Sequence, residues 1–477
     1  MSDLMNSPAG KRILSLLDDN SFVEIGEQVH ARSTDFFESR EAVLRDGVVT
    51  GYGTIGDRMV YVYSQDPKSL GGSLGEMHAR KILNLYRLAR KTGSPIIGML
   101  DSTGIRLEES MDALQGLGMV YKAMAKASGI IPQITAVFGS AGGGLSILTE
   151  LSDFVFMEDN AKLFLNSPNS IKGNCEEKND TSSAGYRHGK SGTVDWAGPE
   201  EELYSEIRSL MSFLPDNCTD EAFLSDPNDD LNRTIDDMAA CGRDAAAAIV
   251  RMADFGEFFE TRRGAGLSMV TGFIRLNGST VGVIANRREK WGEDGKAEET
   301  FDNKLCVKGI KKAVKLVNFC DAFSIPILTL TDVKGYCSGK CAEKYMSTQA
   351  AKLLYAFSTA SVAKVNVIMG ECYGSAGIIM NSKAIGADYV YAWSNAKIGA
   401  IDGKHAAEIL YDGKDAAFLK EKAAAYDELQ GSVASAAGRG YVDTIIDPED
   451  TRKFVIGAFE MLYGKDNFGS KKKHGTV

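Results

Sequence analysis

The stretch Gly139-Ser140-Ala141-Gly142-Gly143-Gly144 lies inside "ITAVFGSAGGGLSILTELSDFVF", and its first four letters return at Gly374–Gly377 in "NVIMGECYGSAGIIMNSKAIGADYVY". In both copies an Asp stands fourteen residues after the first Gly (Asp153, Asp388) and opens an aromatic-Val-aromatic run. The echo is not isolated. Val49-Thr50-Gly51-Tyr52 matches Val270-Thr271-Gly272-Phe273. "SPIIGMLDSTG" matches "IPILTLTDVKG", where Pro95 and Pro326 each precede an Asp by six residues (Asp101, Asp332), with a Gly three further on (Gly104, Gly335). The offsets are 221, 231 and 235 residues, so order is kept while loop lengths drift. Such a period marks a duplicated domain.

Each half reads as the same unit. Period-two apolar patterning around Gly56-Asp57 and around Asn277-Gly278 predicts a β-hairpin. Apolar spacings of three and four in "GEMHARKILNLYRLARKTG" and "VKGIKKAVKLVNFCDAF" predict a helix. A buried strand into the Asp-x-x-Gly turn follows, then another helix ("AKLLYAFSTA" in the second half). The strands "PQITAVFG" and "KVNVIMG" then run into GSAG. Strands alternating with helices predict a wound α/β unit with mainly parallel strands. The acidic, weakly periodic stretch 215–238, "PDNCTDEAFLSDPNDDLNRTIDDM", reads as a linker, giving domains 1–225 and 226–477.

A chain of 477 residues suits two such domains. Its composition, 44% hydrophobic and 25% charged, reads as soluble, and no apolar run approaches the roughly 20 residues of a membrane span. "MSDLMNSPAGKRILSLLDDNSF" lacks a basic stretch followed by an apolar core, so no secretory signal is expected. The eight cysteines (175, 218, 241, 306, 320, 337, 341, 372) show no disulfide-framework spacing and suit a reducing cytoplasm. A net charge of −10 argues against nucleic acid or a lipid surface as partner, yet allows an anionic cofactor in a local basic pocket. The tail "GSKKKHGTV" reads as a solvated end.

A strand that ends in small residues and opens a helix aims backbone N–H groups at one point, and glycine lets a ligand oxygen approach them. Such a turn suits a phosphate or an oxyanion developing from a carbonyl; close helix–strand packing is the structural alternative. The Lys-Ser/Thr of a P-loop is absent after the glycines. "GYGTIG" (51–56) fits GxGxxG in letters, but it lies between two strands and its counterpart "GFIRLN" has lost the pattern, so it reads as a turn. "CSGKC" (337–341) has no second ligand pair, none of the five histidines sits in a metal or nucleophile-elbow pattern, and no metal is expected. For His78, at the start of a helix, a packed, surface or contact role stays open. Backbone donors without an evident acid–base pair point to enolate or thioester chemistry, where each donor contributes about 3 kcal/mol in other acyl-transfer enzymes.

"KRILSLLDDNSFVEI", "GGSLGEMHARKI", "GMLDSTGIRLEES", "SGIIPQITAVFGSAGGG", "DFGEFFE", "VKLVNFCDAFSIPILTLTDVKG", "AKLLYAF", "GADYVYAW" and "GRGYVDTIIDPEDTR" occur in that order. With them the chain resembles the carboxyltransferase (β) subunits of biotin-dependent acyl-CoA carboxylases and the related α subunits of sodium-pumping methylmalonyl-CoA decarboxylases. The resemblance implies an α/β fold of tandem duplicated crotonase-like (ββα spiral) domains. It implies that the N-terminal half holds acyl-CoA, with an oxyanion hole at Gly143 and Gly144 and further substrate contacts at Gly104, Ile105 and Gly142. The C-terminal half would hold the biotin ureido carbonyl at Ser375 and Ala376, with Gly335 and Ile378 beside the substrate. Ile378 falls where the family tunes acyl-chain preference; ordinary helix core is the alternative.

In this family the active site forms where the N half of one subunit meets the C half of another. A homo-oligomer, dimer or hexamer, is therefore implied. Biotin would sit on a separate carrier protein, with a biotin carboxylase or a membrane decarboxylase subunit as a further chain. No Met-Lys-Met biotinylation motif and no N-terminal zinc ribbon occur here. The chain departs from the family pattern at 336–348, which has no His, and at "IDGKHAA" (401–407), which gains Lys404 and His405. "NCEEKNDTSSAGYRHGKSGTVDW" keeps Lys-Ser-Gly but has Arg187 and Asp195 near the family's paired His positions. The expected activity is carboxyl transfer between carboxybiotin and a short acyl-CoA (propionyl/methylmalonyl or acetyl/malonyl), in either direction. A crotonase-type acyl-CoA hydratase or hydrolase and a non-catalytic acyl-CoA-binding scaffold are the alternatives.

Overall fold

Both hairpins form where the chain takes positive φ at two successive residues. Gly56 and Asp57 have φ of 57° and 64°, Asn277 and Gly278 of 50° and 74°. That is the condition of the type I′ turn, whose twist matches the strands it joins. The computed structural model describes residues 6–34, 36, 45–172, 180–220 and 229–465. The chain divides into two compact units, Met1–Glu221 and Ala222–Lys471. The boundary expected between 225 and 226 lies outside the described residues, as do Cys175 and the basic tail.

The first unit contains α1 (Pro8–Leu16), β1 (Val23–Glu24), β2 (Val48–Ile55), β3 (Arg58–Gln65), α2 (Glu76–Thr92), β4 (Ile96–Ser102) and α3 (Ser110–Ala127). It continues with β5 (Gln133–Gly142), α4 (Leu145–Glu150), β6 (Phe154–Glu158), β7 (Lys162–Phe164), β8 (Trp196–Gly198) and α5 (Glu200–Phe213). The strand order is β1-β2-β3-β4-β5-β6-β8, with β7 on β5. The β1-β2-β3 pairings are antiparallel and the others parallel. Helix α2 turns Ala79, Ile82, Leu85, Tyr86 and Ala89 into the core, the spacing of an amphipathic face.

The second unit repeats this plan. It runs α6 (Met238–Cys241), α7 (Ala245–Met252), β9 (Phe258–Glu260), β10 (Met269–Leu276), β11 (Ser279–Asn286), the small hairpin β12 (Glu289–Trp291) and β13 (Ala297–Thr300), and α8 (Val307–Ala322). Then come β14 (Ile327–Val333), α9 (Lys340–Thr359), β15 (Lys364–Tyr373), α10 (Gly374–Ile379), β16 (Tyr389–Trp393) and β17 (Lys397–Gly399). Helices α11 (Gly403–Leu410), α12 (Ala416–Gln430) and α13 (Val433–Gly438), β18 (Thr444–Ile446) and α14 (Thr451–Leu462) close it. Its sheet order is β18-β16-β15-β14-β11-β10-β9, with β17 on β15. Among the described residues no helix is long and apolar enough to cross a membrane.

The linker reading of 215–238 is narrowed: the two units divide inside that stretch, at Glu221 and Ala222, and its two ends are tied into them. Asn217 Nδ2 donates to Gly93 O at 3.0 Å and Asp216 accepts from Arg58 Nε at 2.9 Å, inside the first unit. Asp229 pairs with Arg233 and Arg452, and Ile235 and Met238 are buried in the second core. Of the acidic residues that suggested a solvated segment, Asp216, Asp229 and Asp237 are engaged in ion pairs. Residues 221–228 lie outside the described residues.

Strand register also corrects the GSAG echo. Gly142 pairs with Phe164 and Tyr373 with Gly399, so the ends of β5 and β15 are equivalent at an offset of 231 residues. On that register Gly139 corresponds to Gly370 and Gly143 to Gly374. The first GSAG therefore closes β5, whereas the second begins α10. The shared turn lies at the register-matched glycines, Gly143 with φ 59° and Gly374 with φ 60°.

Just before each turn, an Asp is locked against a glycine. The Asp101 N–H donates to Gln65 Oε1 at 3.1 Å, and the Asp332 N–H to Asn286 Oδ1 at 3.0 Å. Opposite each Asp the adjacent strand carries two extra residues, since Leu100 and Ser102 pair with Val137 and Ala141, and Thr331 and Val333 with Ile368 and Cys372. A Cβ on Gly139 would lie 1.9 Å from Asp101 Oδ1, and one on Gly370 2.5 Å from Asp332 Oδ1. Glycine makes room for the carboxylate. We expect Gly139→Ala to lower stability by about 1–3 kcal/mol through overpacking. Gly118→Ala in α3, where a Cβ meets nothing within 4 Å, should raise it by about 0.5–1 kcal/mol. Urea denaturation of the two variants checks both signs.

Candidate active site

In the first unit the chain leaves β5 through Gly143 and Gly144. The Gly143 N–H donates to Phe164 O at 2.9 Å, so it is engaged within the fold. Gly144 caps α4 and carries a first-turn N–H of the kind that has no intrahelical acceptor. Tyr121 Oη donates to Gly144 O at 2.6 Å and fixes that peptide. A Cβ on Gly143 would meet nothing within 4 Å, so the turn faces open space. One on Gly142 would meet the Phe164 ring at 2.7 Å, so Gly142 serves packing. The helix after the turn has six residues, too few for a full macrodipole; the N–H groups act singly.

The second turn keeps the geometry and changes the side chains. By register Ser375 matches Gly144, and Ala376 matches Leu145. Ser375 is exposed, and its Oγ accepts from Tyr336 Oη at 3.3 Å. Ala376 is buried at the start of α10. Ile378 is 44% exposed, and Ile147 at the matching place in the first unit is 41% exposed. The helix-core reading of Ile378 is thereby corrected; its side chain faces outward. Gly104 and Gly335 occupy matching bridges, Leu74 with Ile105 and Leu305 with Tyr336. Leu74 N donates to Gly104 O and Leu305 N to Gly335 O, both at 2.9 Å. These bonds seat Ile105 and Tyr336 at equivalent points of their units.

Behind Ile105 lies a buried charge network that the sequence did not announce. Arg106 pairs with Asp46 and, at 2.8 Å, with Glu109, and donates to Ser73 O at 2.7 Å. Asp46 Oδ2 accepts the His78 N–H at 2.8 Å. Asp46 O accepts from His78 Nδ1 at 3.0 Å, which fixes the tautomer and leaves Nε2 to accept from Gln65 Nε2 at 3.3 Å. Gln65 Oε1 in turn holds Asp101, so the network reaches the turn. Burial, then the charges of Arg106 and Lys81, push His78 down to about 3. The unfolded imidazole binds its proton near pH 6.5, the folded one only near 3. Stability from this residue is complete above 6.5 and is lost as pH falls toward 3. Wild type should lose about 1.4 kcal/mol per pH unit across that window from this residue. His78→Gln should lose correspondingly less, as read from denaturation midpoints at pH 7, 6 and 5.

In the second unit the matching lock is also a buried carboxylate, with polar partners of its own. Asp332 accepts from Arg288 Nη2 at 2.6 Å and from Asn303 Nδ2 at 2.9 Å, and Asn303 Nδ2 also reaches Glu371 Oε2 at 2.9 Å. Sequence reasoning missed this cluster and the Tyr336–Ser375 contact. The repeat register was the signal for Tyr336, which stands where the first unit has Ile105.

The carboxyl transferase domain family matches residues 7–477. The chain belongs to the carboxyl transferase family. It is 37% identical over 488 residues to the methylmalonyl-CoA decarboxylase subunit alpha of Veillonella parvula, covering 98% of this chain and 92% of that one. It is 37% identical over 484 residues to the propionyl-CoA carboxylase beta chain of Roseobacter denitrificans, covering 98% and 93%. Among solved structures it is similar to transcarboxylase 12S, described as a hexamer with methylmalonyl-coenzyme A and methylmalonic acid bound. That match has a TM-score of 0.90 and 33% identity and covers 99% and 93% of the two chains. The tandem α/β fold and the carboxyltransferase activity expected from the sequence both stand.

Proposed function

We propose that this chain is the carboxyltransferase subunit of a biotin-dependent acyl-CoA carboxylase, or of the decarboxylase that runs the same transfer in reverse. Its substrate is a short acyl-CoA of the propionyl/methylmalonyl or acetyl/malonyl kind, and its other substrate rides on a biotin carboxyl carrier protein. A biotin carboxylase or a membrane decarboxylase subunit is the further partner, and a homo-oligomer in the cytoplasm is the working form. Transcarboxylase 12S, with its bound methylmalonyl-coenzyme A and hexamer, supports the substrate class and the assembly.

The observation that carries this reading is the pair of register-matched turns, each presenting backbone donors with a tyrosine hydroxyl hydrogen-bonded to it. The residues fit a biotin ureido group at the second turn. First-turn N–H groups and the Ser375 hydroxyl, held by Tyr336, suit a neutral carbonyl oxygen that gains negative charge. Carboxybiotin supplies the carboxyl group when it is bound there. At the first turn Gly144 offers the N–H, Gly143 supplies the positive-φ bend, Gly104 and Ile105 line the approach, and Gly142 seats the turn against Phe164. An N–H aimed at a thioester oxygen stabilises the enolate more than the ground state, which is what raises the rate. Ile378, outward beside the second turn, meets the acyl group.

A valine at 143 would have to hold φ 59°, which costs a β-branched residue roughly 1–3 kcal/mol of strain. We expect Gly143→Val to lose carboxyl transfer by about a hundredfold or more. Binding of the CoA ester, measured by calorimetry, should weaken only severalfold. Full transfer activity in a folded Gly143→Val protein would refute the assignment of this turn.

If each reaction uses one turn from each of two subunits, Gly143→Val and Ala376→Val chains are inactive alone and regain part of the activity when mixed. Mixed oligomers shown to contain both chains yet wholly inactive would exclude shared sites.

A further inference from the structure

The two units differ at one matched pair of positions in a way that makes chemistry available to the second alone. After the bridge between Leu74 and Ile105 the next facing residues are Gly75 and Arg106; after the bridge between Leu305 and Tyr336 they are Cys306 and Cys337. In the first unit a Cβ on Gly75 would lie 2.4 Å from Arg106 Nη1 and 2.8 Å from its Cζ. A side chain at this position would therefore enter the space that the Arg106 guanidinium and, also at 2.4 Å, Glu109 Oε1 fill. The second unit has a Cβ there, on Cys306, and opposite it a short Cys337 in place of the arginine. The space one guanidinium fills is left to two sulfurs.

Backbone bonds set the spacing. Leu305 N donates to Gly335 O and Cys337 N donates to Leu305 O, both at 2.9 Å, the two bonds of a parallel ladder. Neighbouring strands lie about 4.8 Å apart, inside the roughly 4.4–6.8 Å between Cα atoms that a disulfide spans. Both cysteines are free and only partly buried, so a small oxidant reaches them. Burial raises the Cys337 thiol, and Cys306 is the next contributor, in keeping with their closeness.

We propose that Cys306 and Cys337 form a reversible disulfide on exposure to hydrogen peroxide. One thiol loses its proton and the thiolate sulfur attacks a peroxide oxygen; the O–O bond breaks, a sulfenic acid forms, and the hydroxide that leaves takes up that proton as water. The second sulfur attacks the sulfenic sulfur, the S–O bond breaks, the S–S bond forms and a second water leaves. The two thiols together give up two electrons, which reduce the peroxide. A dithiol reverses the step, as suits a transient intracellular disulfide.

The bond has a structural consequence. Cys306 Sγ now accepts the Gly309 N–H at 3.2 Å as the cap of α8, and accepts from Ser268 Oγ at 3.5 Å. Turning it toward Cys337 strips that cap and ties down the segment carrying Gly335 and Tyr336. Tyr336 positions Ser375, so oxidation should slow transfer; this effect on rate rests on the function proposed above, whereas the disulfide itself does not.

The test uses the full-length protein. It is treated with hydrogen peroxide, alkylated, digested without reduction and mapped by mass spectrometry. We expect one dominant cross-linked peptide joining Cys306 to Cys337, abolished by dithiothreitol and absent from Cys306→Ser and Cys337→Ser. In the same samples the transfer rate should fall at least tenfold in wild type, recover with dithiothreitol, and hold steady in Cys337→Ser. Recovery of both cysteines as alkylated thiols, a bond to another cysteine such as Cys341, or sulfinic acid without the cross-link would each overturn the proposal. The mapped cross-link decides the chemistry even if no transfer activity is found.

Discussion

Both units depend on a carboxylate standing where a side chain of the next strand would otherwise be. Asp101 against Gly139 and Asp332 against Gly370 occupy space that a single Cβ would close. Each Asp is held by an amide from the second strand of the hairpin, Gln65 or Asn286. The adjacent strand bulges by two residues to pass it and then enters the positive-φ glycine turn. Hairpin, central strand and turn are thus fixed to one another by one contact in each unit. A misplaced carboxylate would move the turn, and with it the N–H groups that the turn presents.

What followed from the sequence was what is local or periodic. Type I′ hairpins need two adjacent residues at positive φ, and Gly-Asp and Asn-Gly supply them. The core face of α2 follows from three- and four-residue spacing. The GSAG echo misled because letters can match at a shift of four while the strands pair at a fixed register; the bulge opposite Asp101 and Asp332 is the same in both units, and the four extra residues of the second unit come after its turn, before Asp388. The stretch 229–238 looked like a linker because ion pairs with Arg452, more than two hundred residues away, are invisible in a local window. His78 was undecided for the same reason, since its partners Asp46 and Gln65 come from other elements.

The duplication also gives one backbone plan with two different sets of side chains. The first unit surrounds its turn with a buried, fully paired network, Asp46–Arg106–Glu109–His78, that leaves backbone N–H groups as the offered chemistry. The second replaces the arginine with a cysteine, the isoleucine after the Asp-x-x-Gly turn with Tyr336, and the capping glycine with Ser375. Its turn offers hydroxyls beside the N–H groups. Equivalent backbones thus carry different side chains, which is the basis of the different oxygens proposed for the two turns.

The central claim is that the transfer needs biotin and no protein base. The direct measurement incubates the protein with methylmalonyl-CoA or malonyl-CoA and follows carbon dioxide and free CoA thiol, with and without free biotin. The account predicts decarboxylation that appears only with biotin and saturates with it, while the thioester stays intact. Release of CoA thiol at the same rate with and without biotin would contradict it and show a hydrolase of the same fold.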